Sequence, residues 1–160
     1  MGKKALVAYF SASGVTAKVA KELASSIEAD IYEIVPKEKY TAEDLNWQDE
    51  KSRSSIEMKD VTSRPDIANN SANVDDADVI FIGFPIWWYT APHIINSFLE
   101  SYDFAGKHVV LFATSGGSNI EKSVKDLQNT YTRIRFDGGK KIIVGTSQDE
   151  LKAWAGKYIS

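Results

Sequence analysis

The sequence predicts an α/β fold in which helices cover both faces of a parallel sheet. Three segments, Ala5 to Phe10, Val79 to Phe84 and His108 to Ala113, are short and nearly continuous in apolar residues. That is how a strand buried on both faces reads. After each, apolar residues recur at three- and four-residue spacing, the period of a helix with one buried stripe. Each run also stops at a cluster of Ser, Gly or Pro. Strands alternating with helices imply right-handed crossovers, with ligands placed beyond the carboxyl ends of the strands.

In chain order, Ala5 to Phe10 is the first strand and Val19, Ala20, Leu23, Ala24 and Ile27 mark the first helix. Ile31 to Val35 is a second strand, closed by Pro36. Residues 37–78 are polar, with Trp47 and Met58 as the main large apolar side chains, and read as a short helix near Thr41 to Asp49 followed by a surface loop. Val79 to Phe84 is the third strand, and Pro92 suits the first turn of a helix whose core face is Ile94, Ile95, Phe98, Leu99 and Tyr102. His108 to Ala113 is the fourth strand, followed by a helix with Ile120, Val124, Leu127 and Tyr131. For the fifth strand, Thr132 to Phe136 and Lys141 to Val144 are both candidates, separated by Gly138-Gly139; the charged alternation of the first suits a sheet edge. Ser147 with Glu150 forms a capping-box pattern ahead of Leu151, Trp154, Ala155 and Tyr158.

Composition narrows the function. The 160 residues fit one domain, 1–160, with 43% hydrophobic and 26% charged residues. A net charge of −3 does not suit nucleic acid, and the absence of cysteine excludes disulfides, thiolate catalysis and cysteine metal sites. The apolar run near the N-terminus is too short for a signal peptide or membrane span, so a cytoplasmic location without a membrane partner is expected. No His-x-x-x-His pair, acidic metal cluster or Gly-x-Ser-x-Gly elbow is present. A phosphoacceptor domain of this architecture needs carboxylates where Ser11 and Pro85 stand. His93, beside Pro92 at a helix start, reads either as a residue near the ligand mouth or, in preference, as an exposed helix residue, and His108 as structural.

Three segments begin where buried strands stop. Ser11 to Thr16, SASGVT, runs from strand into helix through small hydroxyl residues and a glycine, a turn that aims backbone N–H groups at a phosphate. It lacks the GK[ST] of a nucleotide-triphosphate loop and the GxGxxG of a dinucleotide site, so a single terminal monophosphate fits. Phe84 to Pro92, FPIWWYTAP, sets Trp87, Trp88 and Tyr89 between prolines as an aromatic shelf for a flat ring, although one Trp packing under the next helix or a protein-contact patch would read the same way. Thr114 to Ser118, TSGGS, lets backbone approach a ligand. Each also reads as an ordinary strand-to-helix turn; together they suit a monophosphorylated planar heterocycle.

With this order of loops the chain resembles the flavodoxin family, most closely small single-domain members with a PIWW-x-x-AP motif. The resemblance implies a flavodoxin-like three-layer α/β/α sandwich with a five-stranded parallel sheet of order 2-1-3-4-5, and flavin mononucleotide (FMN) as cofactor. Ser11, Ser13, Gly14, Val15 and Thr16 would hold its phosphate. Pro85, Ile86, Trp87 and Trp88 would line the ring, and Thr114, Ser115, Gly116 and Gly117 its other edge. The implied function is electron transfer with redox partner proteins or a small-molecule acceptor. The alternatives are a small NAD(P)H-dependent reductase acting on quinones or similar acceptors, and a flavin-free interaction module. A monomer or weak homodimer is expected.

Two departures from the family pattern stand out. Val15 takes a position often polar, and no glycine lies between Pro85 and Pro92. A Trp-Trp-Tyr backbone is expected to resist the positive φ that a peptide flip there needs, and so to stabilise the one-electron-reduced flavin weakly.

Overall fold

The continuous apolar runs become the interior of one sheet. In the computed structural model, which describes residues 3–115 and 117–159, the elements in chain order are β1 (Ala5–Tyr9), α1 (Val15–Ile27), β2 (Asp30–Glu33), α2 (Arg53–Lys59) and β3 (Val79–Pro85), then α3 (His93–Ser101), β4 (His108–Thr114), α4 (Glu121–Thr130), β5 (Arg135–Lys141) and α5 (Gln148–Ile159). All pairings within the sheet are parallel and the order is β2-β1-β3-β4-β5, as the resemblance implies.

Period-two alternation divides each central strand between two cores. Val7, Phe81, Val110 and Phe112 pack with Val19 and Leu23 of α1 and Leu151 and Trp154 of α5. Leu6, Ile80, Ile82 and Leu111 face the other way, onto Ile94 and Phe98 of α3 and Leu127 of α4. The predicted faces of α1, α3 and α5 are largely the buried ones, and the Glu150 amide donates to Ser147 Oγ at 3.2 Å, closing the predicted cap.

Two expectations need correction. β5 is neither candidate segment: it spans Arg135–Lys141 and includes Gly138 and Gly139. A Cβ on Gly138 would lie 2.8 Å from the Tyr158 hydroxyl, and one on Gly139 would lie 2.8 Å from Val124 Cγ2. The glycines therefore let α5 and α4 close on the strand's two faces. The register shifts opposite Val109 and Val110, leaving Asp137 as the extra residue of a bulge.

Residues 41–49 form turns, not a helix. Thr41 and Asp44 cap one another, with amide-to-side-chain bonds of 2.9 and 3.1 Å, and that turn goes no further. The helix of this segment is α2, where Ser52 Oγ accepts from the Ser55 amide and Arg53 meets Glu57 one turn on at 3.0 Å.

Candidate functional site

Because the strands are parallel, the loops after β1, β3 and β4 emerge at one edge of the sheet. In the first, Gly14 stands at the N-cap of α1 with φ 95°, a conformation that L side chains rarely adopt. Ser11 Oγ accepts from the Gly14 amide at 3.1 Å, tightening the turn. A Cβ on Gly14 would meet nothing within 4 Å, so the space before this helix start is open.

Thr16 and Thr114 bind this loop to the third. Both are buried, and their hydroxyls lie 2.7 Å apart. Replacing either by valine strands its partner's hydroxyl, an expected cost of about 1–3 kcal/mol. The double Thr16→Val/Thr114→Val variant is expected to lose less than the two single losses combined. Urea unfolding of the four proteins checks this; strict additivity would show the hydroxyls uncoupled.

The second loop corrects an expectation. Trp88 and Tyr89 adopt φ of 48° and 66°, the values this backbone was expected to resist. Trp87 and Thr90 exchange amide-to-carbonyl bonds of 2.9 and 3.0 Å, closing a two-residue hairpin. Positive φ at both central residues is what the right-handed twist of such a tight hairpin selects. Thr90 also donates from its hydroxyl to Asp126 at 2.7 Å, anchoring the hairpin to α4. Residue preference thus gives way to closure, and resistance to positive φ no longer argues for weak stabilisation of a one-electron-reduced flavin.

The hairpin divides the aromatic trio. Trp87 turns inward, edge-on to Phe10 and Tyr40 with ring centroids 5.6 and 5.4 Å away. Arg53 of α2 lies 3.9 Å over the Tyr40 ring, tying residues 37–59 to this assembly. Burial and then Glu57, which accepts from the hydroxyl, raise the Tyr40 pKa, keeping the phenol protonated. Trp88 and Tyr89 remain exposed.

Two clefts flank Trp87. One, of about 430 Å³, is lined by Ser13 and Val15 of the first loop, Pro85, Ile86 and Trp87 of the second, and Thr114 and Ser115 of the third, with Ile142 to Val144 beyond β5 completing it. The other, of about 630 Å³, takes Ile86, Trp87, Trp88 and Tyr89, with Gly117 and Ser118 on one side and Leu45, Trp47 and Ser54 on the other. Of the predicted residues, Ser11, Gly14 and Thr16 belong to the first loop without lining either cleft. Gly116 lies outside the described residues.

The clefts offer hydrogen-bonding groups from their walls. Ser115 Oγ accepts from the amides of Gly117 and Ser118 at 3.2 and 2.8 Å, which leaves its hydrogen to donate. Ser54 is buried, and its hydroxyl has no partner among the described residues. A buried hydroxyl left unpaired costs about 1–3 kcal/mol, so its place in a cleft wall suits a ligand heteroatom. No Lys, Arg, Asp or Glu lines either cleft among the described residues.

Sequence reasoning missed Ser54, Trp47, Leu45 and Ile142 to Val144. The available signal was the pair of large apolar residues, Trp47 and Met58, in a polar segment, and the apolar triplet after Lys141. Of the two readings of His93, the exposed helix residue is corrected: it is half-buried and lines a third cavity, of about 430 Å³, that shares Trp88 with the larger cleft. His108 is structural as expected, its Nδ1 lying 2.6 Å from Asp137 at the opposite end of β4.

Comparison with known proteins finds relatives of this sequence and fold. The family model described as Flavodoxin matches residues 4–158. A crystallised protein of Bacteroides uniformis assigned to the flavoproteins is 49% identical, with 98% of this chain and 99% of that one covered and a TM-score of 0.91. Another from Bacteroides eggerthii is 44% identical, with 97% of each covered and a TM-score of 0.93. A Lactobacillus acidophilus flavoprotein solved in complex with FMN shares the fold, with 24% identity, coverage of 96% and 99%, and a TM-score of 0.74. A curated relative, NAD(P)H dehydrogenase [quinone] 1 of Cavia porcellus, is 28% identical over 92 residues, which span 48% of this chain and 34% of that protein's length.

Proposed function

This chain belongs to the flavodoxin family, and on that premise we propose that it binds one FMN and serves as a redox protein through it. The observation that carries the reading is the smaller cleft. It draws Ser13 and Val15, Pro85 to Trp87, and Thr114 and Ser115 from three separate loops to one wall. The residues present fit the group. The open start of α1 presents backbone N–H groups and the positive end of a helix dipole to a phosphate. Ser13 and Ser115 add hydroxyls, so a monophosphate needs no lysine. Val15 contributes its amide, and Gly117 lets the third loop approach.

Trp87 and Ile86, common to both clefts, offer apolar surface to a flat ring, and Ser54 offers its unpaired hydroxyl to a ring heteroatom. Leu45 and Trp47 shield that side from water. FMN supplies one- and two-electron chemistry when bound; the protein's own task is placement, desolvation and hydrogen bonding.

Titration of flavin into purified protein tests the reading, with fluorescence quenching as the signal. FMN is expected to bind at least about tenfold tighter than riboflavin, because each lost hydrogen bond to a charged phosphate is worth about 1.5–3 kcal/mol. Equal affinity for the two would remove the phosphate cradle, and refusal of both would leave a flavin-free interaction module. The cavity against Trp88 favours a second reading, a reductase serving a small-molecule acceptor, over a carrier that docks on redox partner proteins. Bleaching of the FMN-loaded protein by NADH or NADPH alone would assign the reductase.

A further inference from the structure

We propose that the cavity behind Trp88 is a binding site for a small, uncharged, phenolic ring whose hydroxyl donates a hydrogen bond to Nε2 of His93. The proposal rests on the redox reading above, since this cavity and the larger cleft share Trp88 as a wall. It adds what this wall would hold beside that cleft: the phenol or hydroquinone that such a reductase releases, not the acceptor that it takes up.

Ser63 sets the proton position on the His93 ring. Its hydroxyl lies 2.7 Å from the Glu57 carbonyl and 2.6 Å from His93 Nδ1. A serine has one hydroxyl hydrogen and a carbonyl only accepts, so that hydrogen goes to Glu57. His93 must therefore donate from Nδ1 to the serine oxygen. In a neutral imidazole this fixes the proton on Nδ1 and leaves Nε2 a bare acceptor. Burial, then the Arg64 charge, lowers the His93 pKa, and Glu57 and Asp60 oppose the shift only in part, so the ring is uncharged at neutral pH. Nε2 has no partner among the described residues.

The surrounding charges are already satisfied. Arg64 Nε meets Glu100 at 2.7 Å, and its Nη1 donates to the carbonyls of Val61 and Ser63. Lys122 and the Thr90 hydroxyl both donate to Asp126 at 2.7 Å. A carboxylate or phosphate entering here would have to compete with these internal pairs, so a neutral molecule is preferred. Trp88, Met58 and Leu127 supply apolar surface for a ring. Asn96, three residues beyond His93 on α3 and therefore on the same face, adds a polar group. A bare Nε2 repels a carbonyl oxygen and welcomes an O–H, which selects a phenol or hydroquinone over a quinone.

The test uses 2-naphthol and 2-methoxynaphthalene, which share a ring system and differ in the donor. Calorimetric titration is carried out on both FMN-loaded and flavin-free protein. The naphthol is expected to bind about tenfold tighter than its ether, the equivalent of 1.4 kcal/mol, and to move the His93 Nε2 resonance in ¹⁵N NMR. His93→Phe should abolish the preference, while His93→Gln, whose side-chain oxygen accepts, should keep part of it. Equal binding of the two probes to the unsubstituted protein, or a preference that survives His93→Phe, would overturn the proposal. If the protein refuses FMN but still distinguishes the probes, the redox reading fails and the phenol site stands.

Discussion

Gly83→Ala is expected to lose about 3 kcal/mol or more of stability, the severe end of core overpacking. Gly83 lies in the middle of the sheet, opposite Phe112 in the β3–β4 register. A Cβ there would come within 2.1 Å of Phe112 Cζ and 2.3 Å of Cε2. No carbon pair tolerates such a distance. The ring cannot retreat easily, because Phe112 is fully buried beneath α1 and α5. Gly138 makes a useful contrast: its Cβ would meet the hydroxyl end of Tyr158, a partly buried side chain that can swing away. Chemical denaturation of Gly83→Ala, Gly138→Ala and Gly83→Ala/Phe112→Leu decides the matter. The first should be the least stable, and shrinking Phe112 should recover part of the loss. An unchanged midpoint for Gly83→Ala would mean that the ring does not cover the glycine. Flavin affinity should fall with stability, since β3 delivers Pro85, Ile86 and Trp87 to the clefts.

How far the fold was legible depended on whether residue type and position agreed. β1, β3 and β4 could be read because burial on both faces leaves only apolar residues, and nothing else in so short a run competes. β5 could not, because Gly138 and Gly139 were chosen by the helices that lean on them, and locally they resemble a turn. α2 was hidden by two candidate caps, at Thr41 and at Ser52, of which only the second is followed by a continuing helix. For the site, the loops were legible because each follows a buried strand. The shape of the aromatic loop was not, since Trp88 and Tyr89 occupy a backbone region that their side chains disfavour by about 1–2 kcal/mol each. Strain of this kind persists only where the surroundings over-determine it, here through the Trp87–Thr90 bridge and the Thr90–Asp126 bond. Ser54 shares a cleft wall with Ile86 to Tyr89, more than 30 positions further along, and His93 pairs with Ser63, 30 positions back, which no local pattern records.

The aromatic trio, read at first as one shelf, separates into unequal parts, and flavin affinity should show it. Trp87 lines both clefts and is braced by Phe10 and Tyr40. Tyr89 is largely exposed and borders only the larger cleft. Loss of one aromatic platform under a planar ring costs about 1–3 kcal/mol, so Trp87→Ala is expected to weaken FMN binding by about 5- to 150-fold. For Tyr89 the informative change is to glycine, which removes the side chain while suiting the observed φ of 66° and so leaves the hairpin closed. Tyr89→Gly should shift the affinity by less than about threefold. Trp87→Phe should fall between the two, because a smaller ring keeps part of the platform and its contact with Phe10. Fluorescence titration with FMN gives all three values, and thermal unfolding of the flavin-free variants shows whether a weakened site is also a weakened core. If Trp87→Ala binds as the unsubstituted protein does, the ring is not held at the junction of the two clefts. If Tyr89→Gly loses as much as Trp87→Ala, the exposed tip of the hairpin, not its half-buried root, carries the contact.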